Sequence, residues 1–199
     1  MTLYNTNILK KIFPEPPNGI YYGLNVDDEG LYSITHPKDA NLISETIIKI
    51  MGSSDIKIID MTAGCGGNMI SFINYFKFVI GIEFDKVRYK ILKENLEKYS
   101  KKNYQLLCGD ATKYNIHSVN NDDLDVYFID PPWGGPEYKN NPNIQLYLSN
   151  IKLEDFILTL PKGKLIVLKL PFNYNIDIFK NNIIKTLYIN NILIIYLKY

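Results

Sequence analysis

The chain has 199 residues, 46% hydrophobic and 22% charged, the balance of one globular domain that can bury a core without disulfide or metal staples. Lysine and arginine total 22 against 21 acids, a net charge of +1, which excludes a basic coat for nucleic acid while allowing a local basic patch. Cys65 and Cys108 form no CxxC pair, so neither a disulfide scaffold nor a zinc site is expected, and no apolar run approaches the ~20 residues that span a bilayer.

The N-terminus is broken by Asn and Lys and lacks an apolar h-region, so no signal peptide and an intracellular location are expected. The composition is skewed, with 30 isoleucines, 22 asparagines and Arg88 as the sole arginine. Such a skew points to AT-rich codons and an AT-rich viral or protist genome as the source.

Residues 1 to about 35 are punctuated by Pro14, Pro16, Pro17, Gly19, Gly23 and Gly30 and read as a loop-rich arm rather than a core element. We divide the chain into an arm and lid over 1–38 and a main domain over 39–199. Residues 39–51 repeat apolar side chains at helical spacing behind Pro37, and Gly52 stops them. A short apolar strand over 56–60 follows, then a glycine loop and a helix to about residue 77. A second strand (78–83), a charged helix (86–99) and a third strand (104–108) come next. A fourth strand is expected over 125–130, a helix over about 145–160 and a fifth strand over 164–170. Two final strands pair around Asn190-Asn191. Strands alternating with helices predict an α/β fold with a mostly parallel sheet covered on both faces.

The glycine loop, Asp60-Met61-Thr62-Ala63-Gly64-Cys65-Gly66-Gly67-Asn68, joins a strand to a helix, where glycines permit tight turning and close approach of a ligand. Glu83 ends the next strand, 19 residues after Gly64, a position suited to a carboxylate that grips ribose hydroxyls. Asp60 at the mouth of the loop would repel a pyrophosphate but hold a cationic amino-acid moiety. Asp110, after the third strand, is placed to accept from an adenine amino group. Three acids at successive strand ends favour S-adenosylmethionine over a dinucleotide.

The segment Asp130-Pro131-Pro132-Trp133-Gly134-Gly135-Pro136-Glu137-Tyr138 follows the fourth strand. Consecutive prolines fix φ and carry no amide donor, so their carbonyls are presented rigidly. The Asp130 carboxylate and the Pro131 carbonyl form an acceptor pair for the two hydrogens of an exocyclic amine, turning its lone pair toward a methyl donor. Such an amine is a weak nucleophile, so alignment and electrostatics must supply most of the acceleration. Trp133, the sole tryptophan, reads as a stacking platform for a base.

With these residues in view, the sequence resembles the trimethylguanosine synthase family, which methylates N2 of a 7-methylguanosine cap. The resemblance rests on DDEGLYSIT (27–35), DMTAGCGGN (60–68) and DPPWGGPEY (130–138), and covers about residues 20–199. It implies a Rossmann-like class I methyltransferase with a seven-stranded sheet, its last strand pair antiparallel, and an arm that closes over cofactor and cap. By motif match, Thr35, Asp60, Ala63, Gly64, Gly66, Asn68, Glu83 and Asp110 would bind S-adenosylmethionine. Trp133 and Pro132 would hold 7-methylguanine, Asp130 and Pro131 would position N2, and Asn173 would contact the cap. No metal is implied.

Two positions depart from the pattern. Asp130 stands where many family members carry Ser, and an Asp there also resembles amino methyltransferases that act on adenine. Phe172 stands where relatives can carry a basic residue, so Lys169 or Lys10 is expected to take the cap phosphates. The expected substrate is 7-methylguanosine-capped RNA or a cap dinucleotide. The alternatives are adenine N6 or guanine N2 of uncapped RNA or DNA, or a catalytically silent cap-binding subunit. His36, His117 and the Asp122-Asp123-Asp125 cluster are expected at the surface, and Cys65 is not expected to act as a nucleophile. Tyr21, Tyr22 and Tyr32 read equally well as lid aromatics or as packing beneath the arm.

Overall fold

The computed structural model describes residues 5–114, 124–142 and 144–199. Among these, seven strands form one sheet in the order β3-β2-β1-β4-β7-β9-β8. Strands β1 (Lys57–Asp60), β2 (Phe78–Glu83), β3 (Tyr104–Cys108), β4 (Val126–Ile129) and β7 (Leu165–Pro171) run parallel. Strand β9 (Ile192–Lys198) lies antiparallel between β7 and β8 (Ile183–Ile189). Asn190 turns this last pair in the left-handed region, at φ 55°, a conformation asparagine tolerates better than most residues.

The sheet is apolar on both faces, and the strand period of two sorts its side chains. Ile58, Val126, Phe128 and Val167 pack into one cluster, while Ile59, Tyr127, Ile129 and Leu168 pack into another. Helices α3 (Pro37–Met51) and α4 (Gly67–Tyr75) cover the first face, with Ile43, Ile47, Met69 and Phe72 fully buried. Pro37 at the first helical position and Gly52 at φ 72° bound α3, as expected where proline suits a helix start and glycine a left-handed cap. Helix α5 (Lys86–Glu97) starts at Asp85, whose carboxylate accepts from the amides of Val87 and Arg88.

Two expectations are corrected. Residues 145–160 do not form one helix. They form a hairpin, β5 (Tyr147–Leu148) with β6 (Ile151–Lys152), followed by the short helix α6 (Leu153–Ile157). The reason lies in the spacing: Ile144, Leu146 and Leu148 are buried at every second position around exposed Tyr147, and Ser149 turns at φ 52°. The arm is also part of the core. It folds into α1 (Thr6–Ile12) and α2 (Asp28–Ser33), and Leu9, Phe13 and Leu24 join the cluster on the α3 face. His117, Asp122 and Asp123 lie outside the described residues; Asp125 accepts from the Lys57 amide at 2.8 Å, at the amino end of β1.

Candidate active site

The order β2-β1-β4-β7 places the chain's direction switch between β1 and β4. In sheets of this kind a crevice opens there, at the carboxyl ends of the strands. Asp60 and Glu83 end β1 and β2, and Asp110 and Asp130 follow β3 and β4. The pleat puts Asp60, Asp130 and Lys169 on the same face as Ile58, Phe128 and Val167, directly beyond the apolar layer.

The glycine loop is tightly held. The Ala63 amide donates to the Ile82 carbonyl at 2.8 Å, and the Gly64 amide to Glu83 Oε2 at 2.8 Å. Gly64 and Gly66 both adopt positive φ, 57° and 104°. The Asp130 amide donates to Thr62 Oγ1 at 2.7 Å, so the glycine loop and the Asp-Pro-Pro-Trp segment are one unit. Thr35 and Asn68, both buried, bond to each other at 3.0 Å and join the arm to the first turn of α4.

The acids differ in state. Asp60 is fully buried. Its Oδ1 accepts from the Thr62 amide at 3.1 Å, and its Oδ2 has no partner. Burial, reinforced by Asp130 and Glu83, pushes its carboxyl up to about 8 against the opposing pull of Lys169. Burial also raises Glu83, although amides of Asp85 and Gly64 and the Arg88 guanidinium pull the other way. Asp110 is lowered: bonds from Thr112 and Ser149 and the nearby Lys113 outweigh the effect of burial. Ser149 comes from the β5–β6 turn, a contact that the expected helix over 145–160 would not have made.

Asp130 pairs with Lys169, Oδ2 to Nζ at 2.6 Å. Lys169 is 3% exposed, reaches the Ser33 carbonyl of the arm at 3.5 Å, and lies over the Trp133 ring at 5.2 Å. The expectation that Lys169 takes cap phosphates is thereby corrected, because its ammonium is buried and committed to a carboxylate. Lys10 is exposed on α1, with Nζ 5.8 Å from the Tyr21 ring.

Trp133 is half-buried, its ring centroid 5.0 Å from that of Tyr138 at an interplanar angle of 77° and its N–H unpartnered. Pro131 is buried and Pro132 exposed. Asn173 spends its amide hydrogens on the carbonyls of Tyr138 and Asn141, bracing the loop that carries Trp133, and its Oδ1 is left free. Phe84, 69% exposed beside Glu83, is an apolar face on the crevice rim that sequence reasoning passed over. The signal was there in a large apolar residue directly after a strand-end acid.

The arm presses onto this floor. A Cβ at Gly30 would stand 2.6 Å from Cys65 Sγ, and one at Gly67 would stand 2.7 Å from Ile34 Cγ1. Arg88 binds Asp27 at 2.9 Å and Glu29 at 2.6 Å and lies 4.0 Å from Glu83. Asp27 is held below its usual range, Arg88 and the Gly30 amide outweighing burial. Cys65 is buried and its thiol is pushed up to about 12, so it is inert as a nucleophile at neutral pH. Tyr22 and Tyr32 are exposed on the arm, whereas Tyr21 is half-buried against the core. His36 precedes α3 at the surface without a cap bond.

Residues 56–197 match the family model of RNA cap guanine-N2 methyltransferases. The chain belongs to this family. It is 32% identical to an uncharacterized protein of Acanthamoeba polyphaga mimivirus, over 87% of this chain and 77% of that protein. It is 34% identical to the trimethylguanosine synthase of Schizosaccharomyces pombe over 58% of this chain, and spans about half, 48%, of that synthase. A solved 16S rRNA N2 G1207 methyltransferase of Thermus thermophilus, in complex with AdoMet and guanosine, superposes with a TM-score of 0.61 at 17% identity, over 90% of this chain and 45% of that one. The fold is that of the class I S-adenosylmethionine-dependent methyltransferases, and family and fold together make this chain a methyltransferase.

The donor set fits such a cofactor. Asp60 Oδ2 and Asn68 Oδ1 are buried acceptors without partners, and a Cβ at Gly109 would meet nothing within 4 Å, leaving room beside Asp110. Among the described residues no cluster of three or more His, Cys, Asp or Glu side chains is arranged to hold a metal ion, and no helix is long and apolar enough to cross a membrane.

Proposed function

We propose that this methyltransferase acts on the exocyclic N2 of a 7-methylguanosine cap, on capped RNA or a cap dinucleotide. The observation that carries the reading is the joining of two devices through Thr62: a crevice of buried acids, and an acceptor pair beside the one tryptophan. S-adenosylmethionine, when bound, supplies a sulfonium methyl that an amine takes in one displacement, the S–C electron pair leaving on sulfur.

This chain's residues do the positioning. Asp60 takes the cofactor's ammonium and Glu83 its ribose hydroxyls, each Glu83 oxygen keeping a lone pair beyond its bond to an amide. Asp110 faces the adenine, and Phe84 adds an apolar face beside it. Thr35, Ala63, Gly64, Gly66 and Asn68 line the closed side under the arm. Trp133 and Pro132 hold the base. Asp130 and the Pro131 carbonyl accept the two amino hydrogens, which leaves the nitrogen lone pair directed at the methyl. After transfer the alkylated nitrogen would be strongly acidic and would give its proton to solvent water, so no strong base is required. Asn173 acts by holding the loop of Trp133. The arm over 1–38 serves as the lid, and the mimivirus relative supports a viral source.

A second reading, guanine N2 or adenine N6 of uncapped RNA or DNA, is favoured by Asp130 and by the rRNA activity in the name of the Thermus neighbour. The two readings part on the base. A 7-methyl group makes guanine cationic, and stacking it on Trp133 adds a cation–π attraction of about 0.5–2 kcal/mol. Methyl gain measured by mass spectrometry on cap dinucleotides should appear on the 7-methylated cap and be about 2- to 30-fold slower without the 7-methyl. Trp133→Ala should raise the cap KM about tenfold or more, stacking being worth ~1–3 kcal/mol, while cofactor affinity stays within twofold. Equal turnover of both caps would overturn the cap reading.

A further inference from the structure

One buried cation stands among the crevice acids. Strand β7 is apolar from Leu165 to Pro171 except at Lys169. A lysine this deep is expected only with a partner. Strands β4 and β7 are paired through Ile129 and Leu168, so the next residues on each, Asp130 and Lys169, fall side by side on the cofactor face.

The ion pair is asymmetric. The Lys169 side chain is 4% exposed and that of Asp130 17%. Oδ2 of Asp130 is taken by Lys169, while Oδ1 has no partner among the described residues. The charged groups around Asp130 are Lys169 on β7, which bonds it, and Asp60 on β1, which it pushes up; Glu83 on β2 likewise pushes up Asp60. Lys169 is the one cation of this set. The Ser33 carbonyl and the Trp133 ring hold its ammonium from two further sides.

We infer that Lys169 is a positioning residue for methyl transfer, which fixes Asp130 by one oxygen and keeps it an ionised acceptor so that the other oxygen faces the amino group. The inference rests on the amine-positioning role proposed for Asp130. A carboxylate only accepts, whereas a carboxylic acid also donates and would compete with the amine's own hydrogens. Burial outweighs Lys169 and raises the Asp130 carboxyl above its usual range, while the charge and hydrogen bond of Lys169 limit that rise. Lys169 also reaches the arm through Ser33, so closure of α2 and the charge of Asp130 are linked at one ammonium. A serine at position 130 would need no such partner; an aspartate does.

The test is Lys169→Met, which keeps the length of the side chain and removes the charge, with Lys169→Gln as a second variant should the first fold poorly. The Asp130 carboxyl is followed by 13C NMR of aspartate-labelled protein and assigned by its loss in Asp130→Asn. The midpoint of the signal in the wild-type protein sets the reference. In the variants its midpoint should rise by at least one pH unit. The rate at saturating cap should fall tenfold or more at pH 7 and recover as pH rises toward 9, which a purely structural role for the pair would not produce. An unchanged Asp130 midpoint, or a pH–rate profile that does not move, would overturn the inference. The NMR readout needs no substrate, so a shifted midpoint would support the role of Lys169 even if the wild-type protein transferred no methyl to a cap.

Discussion

At the scale of single residues, Asp60 has one carboxylate oxygen bound to a backbone amide and the other empty in a fully buried place. With its carboxyl pushed up to about 8, it is largely protonated at pH 6 in the free protein. A cofactor ammonium that binds the carboxylate form must release that proton. Affinity for S-adenosylmethionine should therefore strengthen as pH rises, by about tenfold per unit between pH 5.5 and 7, as expected for one linked proton. Calorimetry in buffers of different ionisation enthalpy would count the proton, and Asp60→Asn should lose both the slope and the release. A flat profile in the wild-type protein would remove Asp60 from this role. The same shift acts on the free fold. A carboxyl raised above its ordinary 3.8 gives stability that is complete below pH 3.8 and is lost as pH rises through about 8. Asp60→Asn should thus stabilise the cofactor-free protein at pH 8–9 and leave it nearly unchanged at pH 4.

At the scale of elements, the arm is held against the glycine loop and α5. Helix α2 is too short to persist alone, and it is set by contacts from outside itself. Asp27 caps it at the Gly30 amide and also binds Arg88 on α5. Gly30 lets α2 lie against Cys65, where any Cβ would collide. Arg88→Ala should cost about 1–2 kcal/mol, less than a fully buried pair because its partners are partly wet. For a chain of this length that is roughly 3–6 °C in melting temperature, and the loss should be accompanied by faster amide exchange over α2. An unchanged α2 exchange rate would show that Arg88 does not hold the arm.

The strand-end acids at 60, 83, 110 and 130 were legible in the sequence because each closes a short apolar run, with glycines near Asp60 and Asp110 and prolines after Asp130 marking the turn. The arm was harder to read because Leu9, Phe13 and Leu24 are spread among prolines and find their partners on α3 and the sheet, far away in sequence. The segment over 145–160 carries both periods at once, and the left-handed Ser149 that decides between them has no glycine to mark it. Lys169 was visible only as the odd residue in an apolar strand. Its meaning depends on the register that sets it beside Asp130, which the sequence alone does not express.

At the scale of the whole molecule, a net charge of +1 denies this chain the long-range attraction by which basic proteins gather RNA. On the function proposed above, recognition comes mostly from the base at Trp133 and the acceptors beside it. The most direct test of that account is to incubate the enzyme with S-adenosylmethionine and one 7-methylguanosine-capped RNA containing internal adenines and guanines, digest the product to nucleosides, and locate the new methyl by liquid chromatography and mass spectrometry. The account predicts the methyl on N2 of the cap 7-methylguanosine, as the di- or trimethylated nucleoside, with internal residues unmodified. Methyl on internal adenosine N6 or internal guanosine N2, with the cap unchanged, would contradict it.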